Sequence, residues 1–417
     1  MFQFIYSQLI RLALPFILIR LWWQGRKAPA LRKDWQHRLG RVPDMSGPVI
    51  WVHAVSVGET IAAGPLVRRL LAKDLGATIL MTAMTDTGLA QARKMFGDRV
   101  AYAYAPYDTP GSIRRFLNHV NPGILVILET EIWPNMIRQC RRRHVPVFLI
   151  NARLSERSAR GYERVRRFAA AVMKSISWVA AQAERDAERF RRIGVAAHRV
   201  EVTGSVKFDV DIPDDVRMAS TVVRKTLEGR KVWIAGSTHG GEDEQLLSAH
   251  RRILEQHSDA LLIIVPRHPE RFDSVAAMAE EMALSVARRS KNESPQSAQV
   301  YLGDTMGELM MLYGASDIAF VGGSLIERGG HNPLEPAAWG IPVFSGPYVF
   351  NFETIYERLL ADHGVQMVDG SGDLAEAISG LMSDSEECSA FGARALMVVN
   401  KNRGALDKVV EGIIERL

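Results

Sequence analysis

The residues best suited to chemistry lie in the segment 321–347, VGGSLIERGGHNPLEPAAWGIPVFSGP. After an apolar run and two glycine pairs, Asn332 suits a helix N-cap, Pro333 the first helical position and Glu335 the third. A strand, a glycine-rich loop and a helix start together present backbone N–H groups and a positive dipole end to phosphate. An acid one turn into that helix can accept hydrogen bonds from two sugar hydroxyls. The segment indicates a nucleotide-sugar site, although Asn332 and Glu335 also have the spacing of a simple capping box.

A second candidate is Glu59, which follows the apolar run Val49–Val55 and precedes an amphipathic helix. At the end of a strand and the start of a helix, neighbouring amides and the helix dipole should favour its carboxylate form. A general base needs such an ionised and fixed group, and Gly58 permits close approach of another molecule. The alternative is that Glu59 only caps its helix.

Two acids and a lysine form a third set of candidates. Glu129 and Glu131 lie two residues apart at the end of a buried strand-like run, so both should point to one side. There they could share acid/base or charge-stabilising work, although strand-end solubility and capping explain each acid alone equally well. Lys207, in the sequence GSVKFD, adds a cation that could stabilise a leaving phosphate.

The second half of the chain offers further phosphate or base contacts after strand-like runs. Arg267 and His268 follow Pro266, and the sequence GDTMGEL opens a helix with Thr305 and Glu308 at capping-box spacing. Each of these pieces alone is more often structural than functional. Because all of these residues follow strand-like runs, a role in binding phosphate or a base is favoured for them.

Metal and disulfide chemistry are disfavoured by spacing. His239, His268 and His331 fall on separate loops without ligand-like spacing, so we expect no metal. The two cysteines, Cys140 and Cys388, are far apart in the chain. That excludes a disulfide framework and suits a reducing compartment.

The elements that must position these residues alternate between strand-like and helical patterns, which predicts an α/β protein with two parallel, helix-covered, Rossmann-like sheets. A break in periodicity near 205–222 predicts the linker between them. We expect the ends of their strands to face one another across an interdomain cleft. The predicted strands are Val49–Val55, Thr78–Thr82, Val100–Tyr104, Ile124–Leu128, Val147–Ile150, Trp178–Ala181, Val232–Ala235, Leu261–Val265, Ile318–Val321 and Pro342–Phe344.

Composition is that of an ordinary globular protein. The chain has 417 residues, 47% hydrophobic and 24% charged, which is enough for two α/β domains. Its net charge of +5 fits an anionic partner without choosing between a membrane surface, a phosphorylated substrate and nucleic acid. The arginine runs of the first half lack aromatic interleaving or a nucleic-acid motif, so we expect no nucleic acid and allow contacts with lipid phosphates.

The N-terminal segment Phe2–Trp23 is almost entirely apolar and is about long enough to span a bilayer. Because no small-residue cleavage site follows it, a removed signal peptide is not expected. Trp22 and Trp23 lead into a basic cluster typical of the cytoplasmic side of a membrane segment. Arg11 costs about 2.5–3.5 kcal/mol in hydrocarbon, so a helix lying in the interface and a buried core helix stay open as alternatives to spanning. The basic cluster that follows Trp22 and Trp23 comprises Arg26, Lys27, Arg32, Lys33, Arg38 and Arg41.

At these residues the chain resembles the 3-deoxy-D-manno-octulosonic acid (Kdo) transferases of Gram-negative bacteria. The shared sequences run in order along nearly the whole chain, and several are long and unusual. They are HAVSVGET, LETEIWPN, NARLSERS, TGSVKFD, STHGGEDE, VPRHPERF, GDTMGELMMLYGASDIAFVGGSLIERGGHNPLEPAAWGIPV and GPYVFNF.

The resemblance implies a glycosyltransferase of the GT-B type at the cytoplasmic face of the inner membrane. Its parts would be a membrane-anchor helix at 1–25, an acceptor-binding domain at 26–208 and a nucleotide-sugar-binding domain at 209–417. Such enzymes move Kdo from CMP-Kdo to the 6'-hydroxyl of lipid IVA, a lipid A precursor. They invert the anomeric centre and use no metal or other cofactor.

Carried over by motif, Glu59 would be the proton acceptor, and Glu131 and Lys207 would stabilise charge. CMP would be held by Pro266, Arg267, His268, Met306, Gly307, Glu308, Asn332, Pro333, Leu334 and Glu335. Two other interpretations stay open from the residues: a GT-B transferase with another donor, such as a UDP-sugar or ADP-heptose, and a membrane-tethered nucleotide-binding scaffold without catalysis.

Overall fold

The computed structural model describes residues 2–26, 32–227 and 229–417. The chain divides into two compact units, the first formed by Met1–Asp209 with Arg403–Leu417 and the second by Val210–Asn402. The change of unit lies inside the predicted linker. Lys27 of the predicted basic cluster lies outside the described residues.

The first unit is built on a parallel sheet. Its described strands are β1 Val49–His53, β2 Thr78–Ala83, β3 Ala101–Tyr104, β4 Ile124–Leu128, β5 Val147–Ala152, β6 Trp178–Ala181 and β7 Val200–Val202. They are arranged in the order β3-β2-β1-β4-β5-β6-β7. Every residue of β1, β4 and β5 is buried, because helices cover both faces of the sheet, and this explains their continuous apolar sequences.

Helices precede or alternate with these strands. They are α1 Phe2–Gln24, α2 Val57–Ala72, α3 Asp86–Phe96, α4 Pro110–Val120, α5 Pro134–Arg142, α6 Glu156–Arg164, α7 Arg166–Met173 and α8 Glu184–Arg192. Helices α4, α5, α7 and α8 pack their apolar side chains on one face of the sheet, and α2 and α3 pack on the other. Hydroxyl N-caps start α2, α3, α4 and α6, where each side chain accepts the amide of the third helical residue.

The second unit repeats this plan. Its described strands are β8 Val232–Thr238, β9 Leu261–Pro266, β10 Val286–Arg288, β11 Val300–Leu302, β12 Ile318–Val321, β13 Val343–Ser345 and β14 Gln366–Met367. They form a parallel sheet in the order β10-β11-β9-β8-β12-β13-β14. The helices are α9 Asp214–Thr226, α10 Asp243–Gln256, α11 Phe272–Glu281, α12 Leu309–Gly314, α13 Leu334–Trp339, α14 Glu353–Ala361, α15 Ser371–Ser383 and α16 Ser385–Asn402.

The last helix, α17 Ala405–Ile414, corrects the predicted domain division. The prediction assigned 209–417 to the second domain, but residues 403–417 belong to the first unit. Val409 and Ile413 of α17 are buried in the core that covers the first sheet. The carboxylate of Asp209 also accepts the backbone N–H groups of Gly404 and Leu406 at 2.6 and 2.8 Å. Burial of these apolar side chains and the two hydrogen bonds therefore hold the C-terminal segment in the first unit.

The two helix-covered parallel sheets confirm the predicted α/β class and its two Rossmann-like parts. The predicted N-terminal helix is present as α1, and within the described residues Gln3–Gln24 is long and apolar enough to cross a membrane. That property is compatible with an anchor.

Candidate active site

Glu59 lies in the first turn of α2, immediately after β1. Its carboxylate accepts the backbone N–H of Val55 at 2.9 Å and the hydroxyl of Ser56 at 3.0 Å, while its own N–H donates to the Ser56 hydroxyl. The residue is only 9% exposed. The strand end and the helix cap thus hold the carboxyl group in one place.

Burial raises the pKa of Glu59 to about 7. The hydrogen bonds from Val55 and Ser56 lower it, and the nearby charges of Glu131 and Glu129 raise it further. The Val55 amide favours the carboxylate form, as expected from the sequence, but desolvation outweighs the two hydrogen bonds and raises the pKa overall. Near neutral pH the group can take up or release a proton.

Glu129 and Glu131 lie in the loop after β4, which ends at Leu128. Glu129 has a left-handed backbone (φ 56°), and its carboxylate is 3.4 Å from the ammonium nitrogen of Lys207. The Glu131 carboxylate instead accepts the indole N–H of Trp133 at 2.8 Å. The period-two argument for a shared side therefore fails, since neither acid belongs to the strand.

Asn151 is a residue of this region that sequence reasoning missed. Its side-chain oxygen accepts the hydroxyl of Ser205 and the backbone N–H of Val206, both at 3.3 Å. These bonds join the end of β5 to the turn that carries Lys207. The sequence signal that could have identified this residue is an asparagine directly after an apolar run. Asparagine tolerates the left-handed backbone that Asn151 adopts (φ 51°).

In the second unit, the glycine-rich loop after β12 is already occupied by a carboxylate of the protein. Glu242 accepts the backbone N–H groups of Gly323, Ser324 and Leu325 at 2.6, 2.9 and 3.0 Å, and that of His239 at 3.0 Å. These amides are therefore not available to a phosphate, contrary to the expectation for the loop. Sequence reasoning missed this role of Glu242.

Three histidines gather at the ends of β8, β9 and β12. His239 and His331 share a 2.8 Å hydrogen bond between their Nε2 atoms, and the rings of His239 and His268 are 5.3 Å apart. The pKa of His331 is lowered to about 4. Burial is the largest cause, and the charges of His239, Arg267 and His268 act in the same direction. The ring of His331 is therefore neutral at physiological pH.

Within the described residues, no group of three His, Cys, Asp or Glu side chains could hold a metal ion. The expectation of a reaction without a metal stays a prediction.

The predicted contacts after β9 and β12 lie close to one another. Arg267 and His268 are exposed and directly follow the buried Pro266. The positive charge of Arg267 lowers the pKa values of His331 and Glu335, which places the three groups in one electrostatic neighbourhood. For Glu335 the larger effect is burial, which raises the pKa of its carboxyl group.

Helix α13 begins one residue later than predicted, at Leu334, with Pro333 immediately before it. Asn332 nevertheless acts at the helix start. Its side-chain oxygen accepts the N–H of Leu334, and its amide group donates to the Glu335 carboxylate, both at 3.2 Å. These contacts fix the helix start, and the role of Asn332 and Glu335 in binding a nucleotide sugar stays a prediction.

The remaining predicted contacts, Met306, Gly307 and Glu308, follow β11. Met306 is 55% exposed, and Gly307 has a left-handed backbone (φ 91°). Glu308 accepts the hydroxyl of Thr305 and two N–H groups of the Arg289 guanidinium, at 2.5 and 2.8 Å. This forked ion pair fixes the loop.

Each sheet thus collects its own set of candidates at the carboxyl ends of its strands, where parallel sheets bind ligands. The first set is Glu59, Glu129, Glu131 and Lys207. The second is Pro266, Arg267, His268, Met306, Gly307, Glu308, Asn332, Pro333, Leu334 and Glu335.

Comparison with known proteins assigns both halves of the chain. Residues 33–210 match the family described as 3-Deoxy-D-manno-octulosonic-acid transferase (kdotransferase), and residues 242–396 match the glycosyl transferases group 1. The UDP-GlcNAc 2-epimerase of Neisseria meningitidis shares the fold, with a TM-score of 0.58, 17% identity, and coverage of 88% of this chain and 100% of that one. That likeness supports the GT-B architecture and nothing further.

Curated relatives extend over the whole length. The chain is 40% identical to the 3-deoxy-D-manno-octulosonic acid transferase of Haemophilus influenzae, covering 99% of this chain and 98% of that protein. It is 37% identical to the enzyme of the same name from Bordetella pertussis, covering 84% of each. These homologues support transfer of Kdo in lipopolysaccharide biosynthesis. The chain belongs to the 3-deoxy-D-manno-octulosonic acid transferase family and is a glycosyltransferase.

Proposed function

We propose that this enzyme transfers Kdo from CMP-Kdo to the 6'-hydroxyl of lipid IVA, with inversion at the anomeric carbon and without a metal. Family membership supports the transferred sugar, and the resemblance of the motifs supports the donor and the acceptor. The proposed location is the cytoplasmic face of the inner membrane, with α1 as its anchor.

The general base in this proposal is Glu59. The observation that carries the assignment is the state of its carboxyl group, which is buried at a strand end, fixed by Ser56 and Val55, and has a pKa of about 7. A base whose pKa lies near the working pH combines a useful ionised fraction with a strong pull on the proton. A carboxylate that served only as a helix cap would gain nothing from this elevated pKa.

The reaction is then a single in-line displacement. The acceptor oxygen bonds to the anomeric carbon of Kdo as the bond from that carbon to the phosphate oxygen of CMP breaks. The hydroxyl proton passes to Glu59, and CMP leaves with the electron pair. Lys207 and Glu131 stabilise charge near the reacting sugar, with the position of Lys207 maintained by its ion pair to Glu129.

The second unit holds CMP in this proposal. Arg267 and His268, which are exposed beyond the end of β9, contact the nucleotide with Pro266. The loop Met306–Glu308 and the segment Asn332–Glu335 complete the site. Because Glu242 occupies the amides of the glycine-rich loop, cationic side chains rather than those amides are the expected partners of the phosphate.

The direct test is to incubate purified protein with lipid IVA and CMP-Kdo generated in situ, and to determine the masses of the lipid products. A mass increase equal to one or more Kdo units is expected. Unchanged lipid IVA alongside intact CMP-Kdo would reject the proposal. Competition by CMP but not by UDP or ADP distinguishes the donor, and release of CMP only when lipid IVA is present excludes a non-catalytic scaffold.

A further inference from the structure

The N-terminal end of α1 is bonded to the body of the first unit. Three polar side chains of its first two turns reach residues more than 100 positions away in the chain. The bonds run from Gln3 to the carbonyl of Pro134 at 3.3 Å, from the Tyr6 hydroxyl to the Asp108 carboxylate at 2.9 Å, and from the Ser7 hydroxyl to the Asn135 side-chain oxygen at 2.8 Å. The Tyr6 ring also lies 5.9 Å from that of Phe168.

The acceptor of the central bond is a fixed part of the fold. Asp108 is 8% exposed, and its carboxylate also accepts the backbone N–H groups of Asn135 and Met136 at 3.0 and 2.7 Å. It therefore anchors the start of α5 and the start of α1 at one point. Withdrawing Tyr6 would remove one hydrogen bond from a buried carboxylate, which is unfavourable.

The other end of α1 is also joined to this unit. Leu21 is 8% exposed, and the ring of Trp22 lies 6.4 Å from that of Trp35. Trp35 begins a short 3₁₀ helix, Trp35–Leu39, whose Arg38 accepts the backbone N–H of Tyr107 at 2.8 Å through its carbonyl. Both ends of the helix therefore contact the same folded body.

Because α1 is about as long as a bilayer is thick, contacts at both of its ends determine whether it can cross a membrane. A helix of 23 residues is about 34 Å long, and the hydrocarbon core of a bilayer is about 30 Å thick. If α1 crossed the membrane, residues 3–7 would lie on the side opposite to Asp108 and Asn135. The bonds to these residues cannot form in that arrangement.

The face of α1 turned away from the unit is apolar. Large side chains exposed on this face are Phe4, Ile5, Leu9, Leu12, Phe16, Ile19 and Trp23, and from Ile5 onward they recur every three or four positions. At about 100° per residue, Arg11 and Arg20 fall on opposite margins of this face, and both are exposed. Arginines at such margins can extend to lipid phosphates while the apolar side chains enter the acyl region.

We propose that α1 lies flat on an anionic phospholipid leaflet as a monotopic membrane-binding helix and does not span the bilayer. The apolar face defined above enters the acyl boundary, Trp23 sits at headgroup depth, and Arg11 and Arg20 contact the phosphates. The unit stays seated against the same leaflet throughout. This inference does not depend on which sugar or acceptor the enzyme uses.

The test is the sidedness of the N-terminus. A short polar extension with one cysteine is added before Met1 in a Cys388→Ser background, in which Cys140 is buried. A membrane-impermeant maleimide is applied to inside-out vesicles and to spheroplasts. A reference variant with Lys94→Cys, exposed on α3, reports the side of the first unit. Labelling of both cysteines in inside-out vesicles alone is expected, whereas labelling of the extension in spheroplasts overturns the proposal.

A second measurement tests the lipid contact by co-sedimentation of purified protein with phosphatidylglycerol vesicles. Leu12→Asn together with Phe16→Asn should weaken binding by about tenfold or more, because two apolar side chains would leave the acyl region. Leu360→Asn is the matched control, since Leu360 is an exposed leucine of the second unit. Equal binding by the double variant and the control would overturn the assignment of this face. Neither measurement involves Kdo transfer, so their outcome is separate from that of the proposed reaction.

Discussion

The carboxylate of Glu242 accepts the backbone N–H of Gly323 at 2.6 Å, at the place where the sequence predicts a phosphate. Three further amides converge on the same carboxylate. A side chain from the loop before α10 therefore fixes the glycine-rich loop from within the second unit. The loop is a rigid support for the neighbouring segment rather than an open anion site.

Replacing this carboxylate should destabilise the second unit. In Glu242→Gln, one side-chain oxygen remains as an acceptor, and the new NH₂ group faces amide donors. We expect a loss of about 2–3 kcal/mol, as for breaking hydrogen bonds to a buried charged group, measured as a lowered unfolding midpoint. Glu244→Gln, an exposed neighbour, is the control. Equal midpoints for the two variants would contradict the supporting role of Glu242.

Removing the proposed base should stop transfer without removing the nucleotide. Glu59→Ala is expected to abolish Kdo transfer while CMP binding, measured by calorimetry, stays close to that of the wild type. The reason is that Glu59 lies in the first unit, whereas the residues proposed to hold CMP belong to the second. Normal turnover by Glu59→Ala would reject the assignment. Loss of CMP binding would point to a wider structural effect.

The pH dependence of transfer should report the same carboxyl group. Since a base must be ionised, the rate should rise as the pH increases through about 7, the pKa of Glu59. Stability should move in the opposite sense. The folded-state pKa lies above the ordinary value of 4.5, so the contribution of this group to stability is present below about pH 4.5 and is lost as the pH rises through about 7. Glu59→Gln should lack this loss.

A neighbouring charge provides the control for that pH profile. The charge of Glu129 raises the pKa of Glu59. Removing that charge therefore favours the ionised form of Glu59. In Glu129→Gln the rise in rate should therefore occur at lower pH than in the wild type, and a shift towards higher pH would show that another group controls the profile.

The two sheets could be predicted from sequence because strands buried on both faces consist almost entirely of apolar residues. Strands such as Ile124–Leu128 and Leu261–Pro266 are continuous apolar runs. The short strands Val200–Val202, Val286–Arg288, Val300–Leu302 and Gln366–Met367 were not predicted, since runs of two or three residues carry no periodic signal. The return of Ala405–Ile414 to the first unit was also hidden, because an amphipathic helix does not reveal which core it covers.

The candidate site likewise has features that could be predicted from sequence and features that could not. The residue types after the strands identified Glu59 and Glu335 as candidates, but their protonation could not be derived from sequence. It depends on how far burial outweighs local hydrogen bonds, and that balance appears only once the packing is known. The role of Glu242 was hidden for a related reason, since three of its four amide partners lie 81 to 83 positions away in the chain.

Glu335→Ala separates ligand binding from capping in the second unit. In the proposed site this carboxylate receives sugar hydroxyls, so its loss should weaken CMP binding by about tenfold, corresponding to roughly 1.4 kcal/mol. Binding is measured by calorimetry and stability by thermal unfolding. Asn332 donates to Glu335 at 3.2 Å, so a small loss of stability is expected as well. If stability fell and CMP affinity did not change, Glu335 would be only a cap.

Close packing at the end of β12 makes Gly322 intolerant of any side chain. A Cβ atom at Gly322 would lie 2.6 Å from the carbonyl oxygen of Ser237 and 2.9 Å from that of Gly236. Both are backbone atoms of the adjacent strand β8, which cannot withdraw without breaking its pairing. Gly322→Ala should therefore lower the unfolding midpoint, at a cost of about 1–3 kcal/mol.

The matched control is Gly380→Ala in α15. An added Cβ there meets no atom within 4 Å, and alanine is favoured over glycine within a helix by about 1 kcal/mol. The same chemical change should thus stabilise one position and destabilise the other. If both variants shifted the midpoint in the same direction, the backbone contact between β8 and β12 would not be as close as described, and the glycine-rich loop would lack the rigid strand on which its position depends.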